Sequence, residues 1–454
     1  MPSKIETINP YNGNRIKNYQ EFTKSKLEAC LELSENTFET WKQTDIKERT
    51  TLLKTLSKNL LKNKQKFAEL MTEEMGKPIS QSLAEIEKCS FLVDFYAKNA
   101  DDFLADELIE TDAEESFISY DPLGCILGIM PWNYPFWQVL RFAIPTVTAG
   151  NTILLKHASN VTGCALAIQE IIEESGFPKG CFQTLIADHE QIDQLIADSR
   201  IKAISLTGSE KAGRHIAETA GKHLKKTVLE LGGNNACIVL ADADLDAHLD
   251  TLVHARMQNT GQSCIAAKRF IVVEDIYGEF LEKFKAKVKK LNIGDPADKN
   301  TELSVLARED LAKTLKKQVD TSIGQGAKVI TGNKTDKAYF EPTILTNVKP
   351  GMPVFDEETF GPVAAIIKVK TKEDAYKMAS HSKFGLGTMV FTQNIEDARK
   401  QIIQIADGAF FINELVKSDP RLPFGGTKAS GFGRELSKEG IHEFVNRKTV
   451  FINL

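Results

Sequence analysis

The stretch that decides the fold is NTILLKHASNVTGCALAIQEIIEESGFPKGCFQTLIADHEQIDQLIADSRIKAISLTGSEKAGRHIAETAGKHLKKTVLELGG, residues 151–233. Short apolar segments alternate in it with amphipathic ones. Thr152–Lys156 reads as a buried strand, Thr162–Ser175 as a helix, Phe182–Ile186 as a strand and His189–Ala197 as a helix. A strand at Ala203–Thr207, a helix at Glu210–Gly221 and a strand at Thr227–Leu231 continue the series. Strands and helices that alternate across short loops wind into a parallel sheet covered on both faces. The expected class is α/β, with ligands taken at the carboxyl ends of the strands.

Toward the N-terminus, Ser25–Gln43, Ile46–Met75 and Ser80–Leu104 carry apolar residues at helical spacing. Strand-like stretches follow at Ser116–Tyr120 and Gly124–Met130, with Pro122 and Gly124 marking a turn between them. Toward the C-terminus a second α/β series begins. Ala236–Leu240 and Phe270–Val273 read as strands and Ile276–Leu291 as a helix, and Leu311–Gln325, Val363–Val369, Thr388–Phe391 and Ala409–Ile412 extend it. A domain boundary is expected near Glu230. Lys448–Asn453 forms a last β-like stretch after the Gly-rich segment Phe424–Gly433, suited to pairing with another element or another subunit.

The chain has 454 residues, too many for one ordinary core, so two or three domains are expected. It is 42% hydrophobic and 26% charged, with a net charge of -5, which argues against a nucleic-acid partner. No apolar run approaches the ~20 residues of a spanning helix. The opening MPSKIETINP lacks an apolar leader core, so a cytoplasmic enzyme without a membrane partner is expected. The seven cysteines are scattered, with no CxxC pair, against a disulfide framework and against a common zinc site. Most read as small buried hydrophobes, and no metal is expected.

Four constellations carry candidate chemistry. Asn259-Thr260-Gly261-Gln262-Ser263-Cys264 puts a thiol after a Gly-containing turn and before a strand, although an inert core thiol fits the same residues. Glu230-Leu231-Gly232-Gly233 ends a strand with a carboxylate beside two glycines, suited to a general base on water or equally to a helix cap or surface acid. Pro131-Trp132-Asn133-Tyr134-Pro135 fixes the backbone around an amide that can donate to an oxyanion, or is an ordinary Pro-rich turn. Leu206-Thr207-Gly208-Ser209 lies between a strand and a helix N-terminus, a phosphate-binding geometry without the GxGxxG fingerprint. Taken together they fit one chemistry. A thiolate attacks an aldehyde, an amide holds the oxyanion, a hydride passes to a nicotinamide, and a carboxylate activates the water that releases an acid.

The motifs PWNYP, NTILLKHAS, LTGS, LELGG, NTGQSC, EETFGPV and PFGGTKASGFGRE occur in this order along the chain, which on them strongly resembles the aldehyde dehydrogenase superfamily. The resemblance implies a Rossmann-like cofactor domain (1–115 and 131–229), an α/β catalytic domain (230–420) and a small β oligomerisation arm (116–130 and 435–454). It implies Cys264 as nucleophile and Glu230 as general base, with Asn133 and the main-chain N–H of Cys264 forming the oxyanion hole. For the cofactor it implies Lys156 at the adenosine ribose, Gly208 and Ser209 near the pyrophosphate, Trp132 and Leu231 on the nicotinamide side, Glu358 on the nicotinamide ribose and Phe360 beside it. Homodimers or pairs of dimers are implied.

Within the family the chain looks most like the short succinate-semialdehyde dehydrogenases, whose substrate carries a carboxylate opposite its aldehyde. The resemblance puts Arg141, eight residues after Asn133, and Ser418 at that carboxylate. An ion pair at the surface or between subunits is the other reading of Arg141. Glutarate semialdehyde or an aliphatic aldehyde is the alternative substrate. A CoA-acylating relative would not need Glu230, and a non-catalytic scaffold would not need the full set Asn133, Glu230 and Cys264.

Three departures stand out. Gln258 replaces an arginine of the better-known semialdehyde enzymes, and Ala266 replaces a second cysteine that forms a redox-switch disulfide in some relatives. Asn234-Asn235-Ala236 follows LELGG in place of a Lys- or Pro-containing run. Cofactor choice turns on Lys156-His157-Ala158-Ser159. NAD-preferring relatives usually carry Glu at the fourth position, where a carboxylate would repel a 2′-phosphate. Ser159 removes that charge, so NADP is favoured, with NAD also used. His157 reads as a packing residue or a flank of the adenine ribose.

Overall fold

The structure, a computed structural model, describes residues 4–453. A hairpin of β1 (Lys4–Ile8) and β2 (Arg15–Gln20) leads into four helices, α1 (Lys24–Trp41), α2 (Ile46–Lys62), α3 (Lys64–Met75) and α4 (Ile79–Leu104). The stretch read as one helix from Ile46 to Met75 is thus two helices, with Asn63 between them. Asn63 leaves the helical conformation and folds its side-chain amide back onto the carbonyl of Asn59, at 3.0 Å. Asparagine competes in this way with the helical backbone, which is why it breaks an otherwise periodic stretch.

Next come β3 (Glu107–Leu108), β4 (Glu115–Pro122), β5 (Cys125–Met130), α5 (Trp137–Thr148), β6 (Thr152–His157), α6 (Thr162–Glu174), β7 (Phe182–Leu185), α7 (His189–Ala197), β8 (Ile201–Thr207), α8 (Glu210–Lys222) and β9 (Lys226–Glu230). Strands β9, β8, β5, β6 and β7 lie side by side in that order and are parallel. Gly431–Phe432 adds an antiparallel edge beside β9. Side chains alternate between the two faces. Ile153 and Leu155 of β6 enter the core under α2–α6, and Leu154 enters the one shared with α1, α7 and α8.

This corrects the expected arm. Residues 125–130 do not belong to it, because β5 pairs with both β6 and β8 near the centre of the six-stranded sheet. Gly124, with φ +134, makes the break between β4 and β5. The three-stranded arm sheet consists of β3, β4 and the last strand, Val445–Ile452, which pairs antiparallel with the whole length of β4.

After β9 come β10 (Ala236–Val239), α9 (Leu245–Met257), β11 (Arg269–Val273) and α10 (Glu274–Val288). Strands β10 and β11 lie inside a seven-stranded sheet. Val363–Val369, Thr343–Thr346 and Lys328–Thr331 extend it beyond β11, and Thr388–Phe391 and Phe410–Ile412 extend it beyond β10. Only the Lys328–Thr331 edge is antiparallel. Alternation recurs on β11, where Ile271 and Val273 face one core and Phe270 and Val272 the other.

Helix α5 lies close on β5 because Gly128 offers no side chain. A Cβ there would come within 2.5 Å of the Phe142 ring. Gly128→Ala is expected to cost about 1–3 kcal/mol of stability by overpacking. A lowered thermal midpoint would show it, and a wild-type midpoint would contradict the contact.

Candidate active site

The thiol candidate sits on the loop that joins α9 to β11. Asn259, Thr260 and Gly261 have φ of +54, +53 and +73, three consecutive left-handed residues. Two of them are not glycine, so the loop stores strain that its surroundings hold in place. The Asn259 amide donates to the carbonyls of Asn133 at 2.7 Å and Gln262 at 3.1 Å. Its main-chain N–H donates to Gln81 Oε1 at 2.7 Å. Arg256, fully buried, donates to the carbonyl of Gly261 at 2.6 Å and to that of Gly361. No side chain fits at 261, where a Cβ would lie 2.3 Å from the Gly361 carbonyl oxygen.

The carbonyl of Cys264 accepts from Asn235 Nδ2 at 2.8 Å and from Lys268 Nζ at 2.6 Å. This accounts for the asparagines after LELGG. Asn235 ties the nucleophile loop to the start of β10, and Asn234 donates to the carbonyl of Phe355 at 2.6 Å. Lys268 also reaches Glu358 Oε1 at 3.2 Å, and the Gly233 N–H donates to the same oxygen at 3.1 Å. A Cβ on Gly232 would lie 2.3 Å from Glu358 Oε2, so the glycine makes room for that carboxylate.

Burial pushes the Cys264 thiol up to about 11, although Lys268 and Arg141 pull it the other way. Burial likewise brings the Lys268 ammonium down to about 8. Asn133 spends one N–H of its side-chain amide on the Gln262 carbonyl, at 3.1 Å. His157 is buried, with its ring nitrogens 3.1 and 3.0 Å from the carbonyls of Met130 and Pro135. Burial drives it down to about 4, so a neutral ring braces the turn that carries Asn133.

Glu230 is buried at the end of β9 but is not among the residues that line the cavity around Cys264. A Cβ on Gly425 would lie 2.7 Å from its Oε1. Burial and the neighbouring carboxylate of Glu435 raise its pKa well above the usual carboxylate range, with Arg141 opposing them. Arg141 itself is a buried ion-pair partner of Glu435 within this chain, neither a surface pair nor an inter-subunit one. Its guanidinium lies 4.6 Å from the centroid of the Phe424 ring.

The remaining candidates cluster at the carboxyl ends of the cofactor strands. Lys156 lies at the end of β6 and Ser159 just beyond it, and Gly208 and Ser209 follow β8. Ser209 caps α8 by accepting from the Ala212 N–H at 3.3 Å. Leu231 follows β9 and packs on Gly213 of α8. Trp132 follows β5 and meets Phe360 edge-to-face, with centroids 5.6 Å apart. Phe360 and Glu358 arrive from the other domain.

Beside Cys264 opens a cavity of about 210 Å³, lined among others by Tyr134, Trp137, Arg141, Gln258, Ser418 and Phe424. One face of α4 also lines it, through Gln81, Ala84, Glu85 and Lys88. None of these four was singled out in the sequence, nor were Lys268, Asn235 in this role, or Glu435. The helical spacing of Gln81, Ala84, Glu85 and Lys88 was the available signal. Among the described residues no cluster of metal-binding side chains occurs, and no helix is long and apolar enough to cross a membrane.

Residues 1–450 match the aldehyde dehydrogenase family. The chain belongs to that family. It is 48% identical to a probable NADP-type succinate-semialdehyde dehydrogenase of Synechocystis, over 99% of each chain. It is 44% identical to the NAD(P)-type succinate semialdehyde dehydrogenase Sad of Escherichia coli, over 98% of this chain and 97% of that one. The crystal structure of a succinic semialdehyde dehydrogenase from Streptococcus pyogenes with NADP+ superposes with a TM-score of 0.97 at 36% identity, covering 99% of this chain and 100% of that one. The aldehyde dehydrogenase fold expected from the motifs is thereby established.

The raised thiol has a direct consequence in this aldehyde dehydrogenase. Without cofactor, the rate of Cys264 alkylation by iodoacetamide should climb about tenfold per pH unit from pH ~7 to ~10, because only the thiolate reacts. A rate already on a plateau at neutral pH would contradict the raised thiol.

Proposed function

We propose that the chain oxidises succinate semialdehyde to succinate with NADP, using NAD less well, through a thioester on Cys264. The observation that carries this reading is the cavity itself. One small space is shared by the Cys264 thiol, the Arg141 guanidinium and the Ser418 hydroxyl. That combination suits a short aldehyde with a carboxylate at its other end. The names of the relatives from Synechocystis, Escherichia coli and Streptococcus pyogenes support the same substrate and cofactor.

In this reading the Cys264 thiolate attacks the aldehyde carbon. The free N–H of the Asn133 side chain and the Cys264 main-chain N–H take the oxyanion. When bound, the nicotinamide supplies the hydride acceptor. Glu230 then removes a proton from the water that cleaves the thioester. Its burial makes the ionised carboxylate a stronger base than an exposed one. To do so it turns away from Glu435 toward Cys264.

The cofactor groups are Lys156, Ser159, Gly208, Ser209, Trp132, Leu231, Glu358 and Phe360. The surroundings of Gly208 fit a pyrophosphate: a Cβ there would meet nothing closer than 3.6 Å, and the capped end of α8 faces the same side. The exposed hydroxyl of Ser159 fits a 2′-phosphate. The exposed apolar residues of the arm, Leu108, Phe451 and Ile452 at 75%, 52% and 38%, support a homodimer or a dimer of dimers.

Steady-state kinetics with a panel of aldehydes and both cofactors test the reading. NADP and the carboxylated four-carbon aldehyde should give the highest kcat/KM, and Ser159→Glu should move the preference toward NAD. Equal rates with butanal, or an unchanged cofactor ratio in Ser159→Glu, would contradict it.

A further inference from the structure

The cavity holds a second cation with a different standing from Arg141. Lys88 lies on the face of α4 that lines the cavity, seven residues after Gln81 and three after Glu85. Its ammonium donates to Ser418 Oγ at 2.9 Å and rests 4.0 Å from the centroid of the Trp137 ring. Among the described residues, no carboxylate comes within ion-pair distance of it.

The nearby acids are all committed elsewhere. Glu85 holds Lys77 and accepts the main-chain N–H groups of Phe136 and Trp137, each at 2.9 Å. Asp419 pairs with Arg421 at 2.6 Å. Arg141, the other cavity cation, is neutralised by Glu435. Burial, reinforced by Arg141, brings the Lys88 ammonium down to about 8. A cation held partly out of water without a counter-ion is costly, and an arriving anion relieves that cost.

Resting on the reading of the cavity as an aldehyde-acid site, we propose that Lys88, together with the Ser418 hydroxyl, binds the substrate carboxylate beside Arg141. The ammonium and the hydroxyl already touch, so one carboxylate can accept from both without displacing an existing ion pair. The Trp137 ring fixes the lysine head from the side. The arginine that Gln258 replaces is then not missed, because Lys88 supplies a cation from a different helix.

The test compares Lys88→Met and Lys88→Arg with wild type, using succinate semialdehyde and butanal side by side. Lys88→Met should raise KM for the carboxylated aldehyde roughly tenfold to a hundredfold, the size expected for a charged hydrogen bond, while the butanal constants stay within about twofold. Lys88→Arg should restore much of the loss. Succinate, as a dead-end ligand, should raise the thermal midpoint of wild type and not of Lys88→Met. Should Lys88→Met fail to fold, Lys88→Gln, which keeps a polar head against Ser418, gives the same comparison.

A Lys88→Met or Lys88→Gln enzyme that keeps the wild-type preference for the carboxylated aldehyde would overturn the proposal, as would equal losses on both substrates. Wild type that shows no such preference would instead overturn the substrate reading on which the proposal rests.

Discussion

The loop from Gln258 to Lys268 is held from both sides of the molecule, and the site depends on that grip. Its first half adopts three left-handed residues in a row, a conformation the chain would leave if it were free. Asn133 and Gln81 restrain it from one side, and Arg256 and Asn235 from the other. The result is a cysteine set at the seam between two parallel sheets, beside the carboxyl ends of the cofactor strands. A mobile loop there could not present a thiol and an oxyanion donor at fixed separation.

Around that loop lies a ring of buried charge, arranged in pairs. Lys268 meets Glu358, Arg141 meets Glu435, and Lys77 meets Glu85. Each pair also serves the backbone or a neighbouring group. Glu85 caps the start of α5, Glu358 takes the Gly233 N–H, and Lys268 holds the Cys264 carbonyl. Glu230 and Glu435 sit together; burial raises the pKa of both, the Glu435 charge adds to the rise at Glu230, and Arg141 opposes it at each.

Much of the fold was legible because strands buried on both faces and amphipathic helices leave different periodicities. The alternation from Thr152 to Glu230 reads as a parallel sheet and is one. The errors have local causes. Asn63 splits a helix without glycine or proline, and the turn at Pro122–Gly124 separates two sheets where it looked like a link within one. Of the site, residues in compact motifs stood out, because glycines and prolines flank them. Lys88 did not, and Glu435, though it ends a quoted motif, shows its task only through its pairing with Arg141. Lys88 looks like any lysine on an amphipathic helix, and its neighbour Ser418 is far away in sequence. Asn235 lay next to a recognised motif, yet its task is visible only once the Cys264 carbonyl is found against it.

The central claim is that Cys264 carries the acyl group and Glu230 releases it. The most direct measurement is intact-protein and peptide mass spectrometry of Glu230→Gln mixed with succinate semialdehyde and NADP. The expected result is one succinyl group per chain, mapped to Cys264, with NADPH formed once and little free succinate. Succinate released at the wild-type rate, or an acyl group mapped to any other residue, would contradict it.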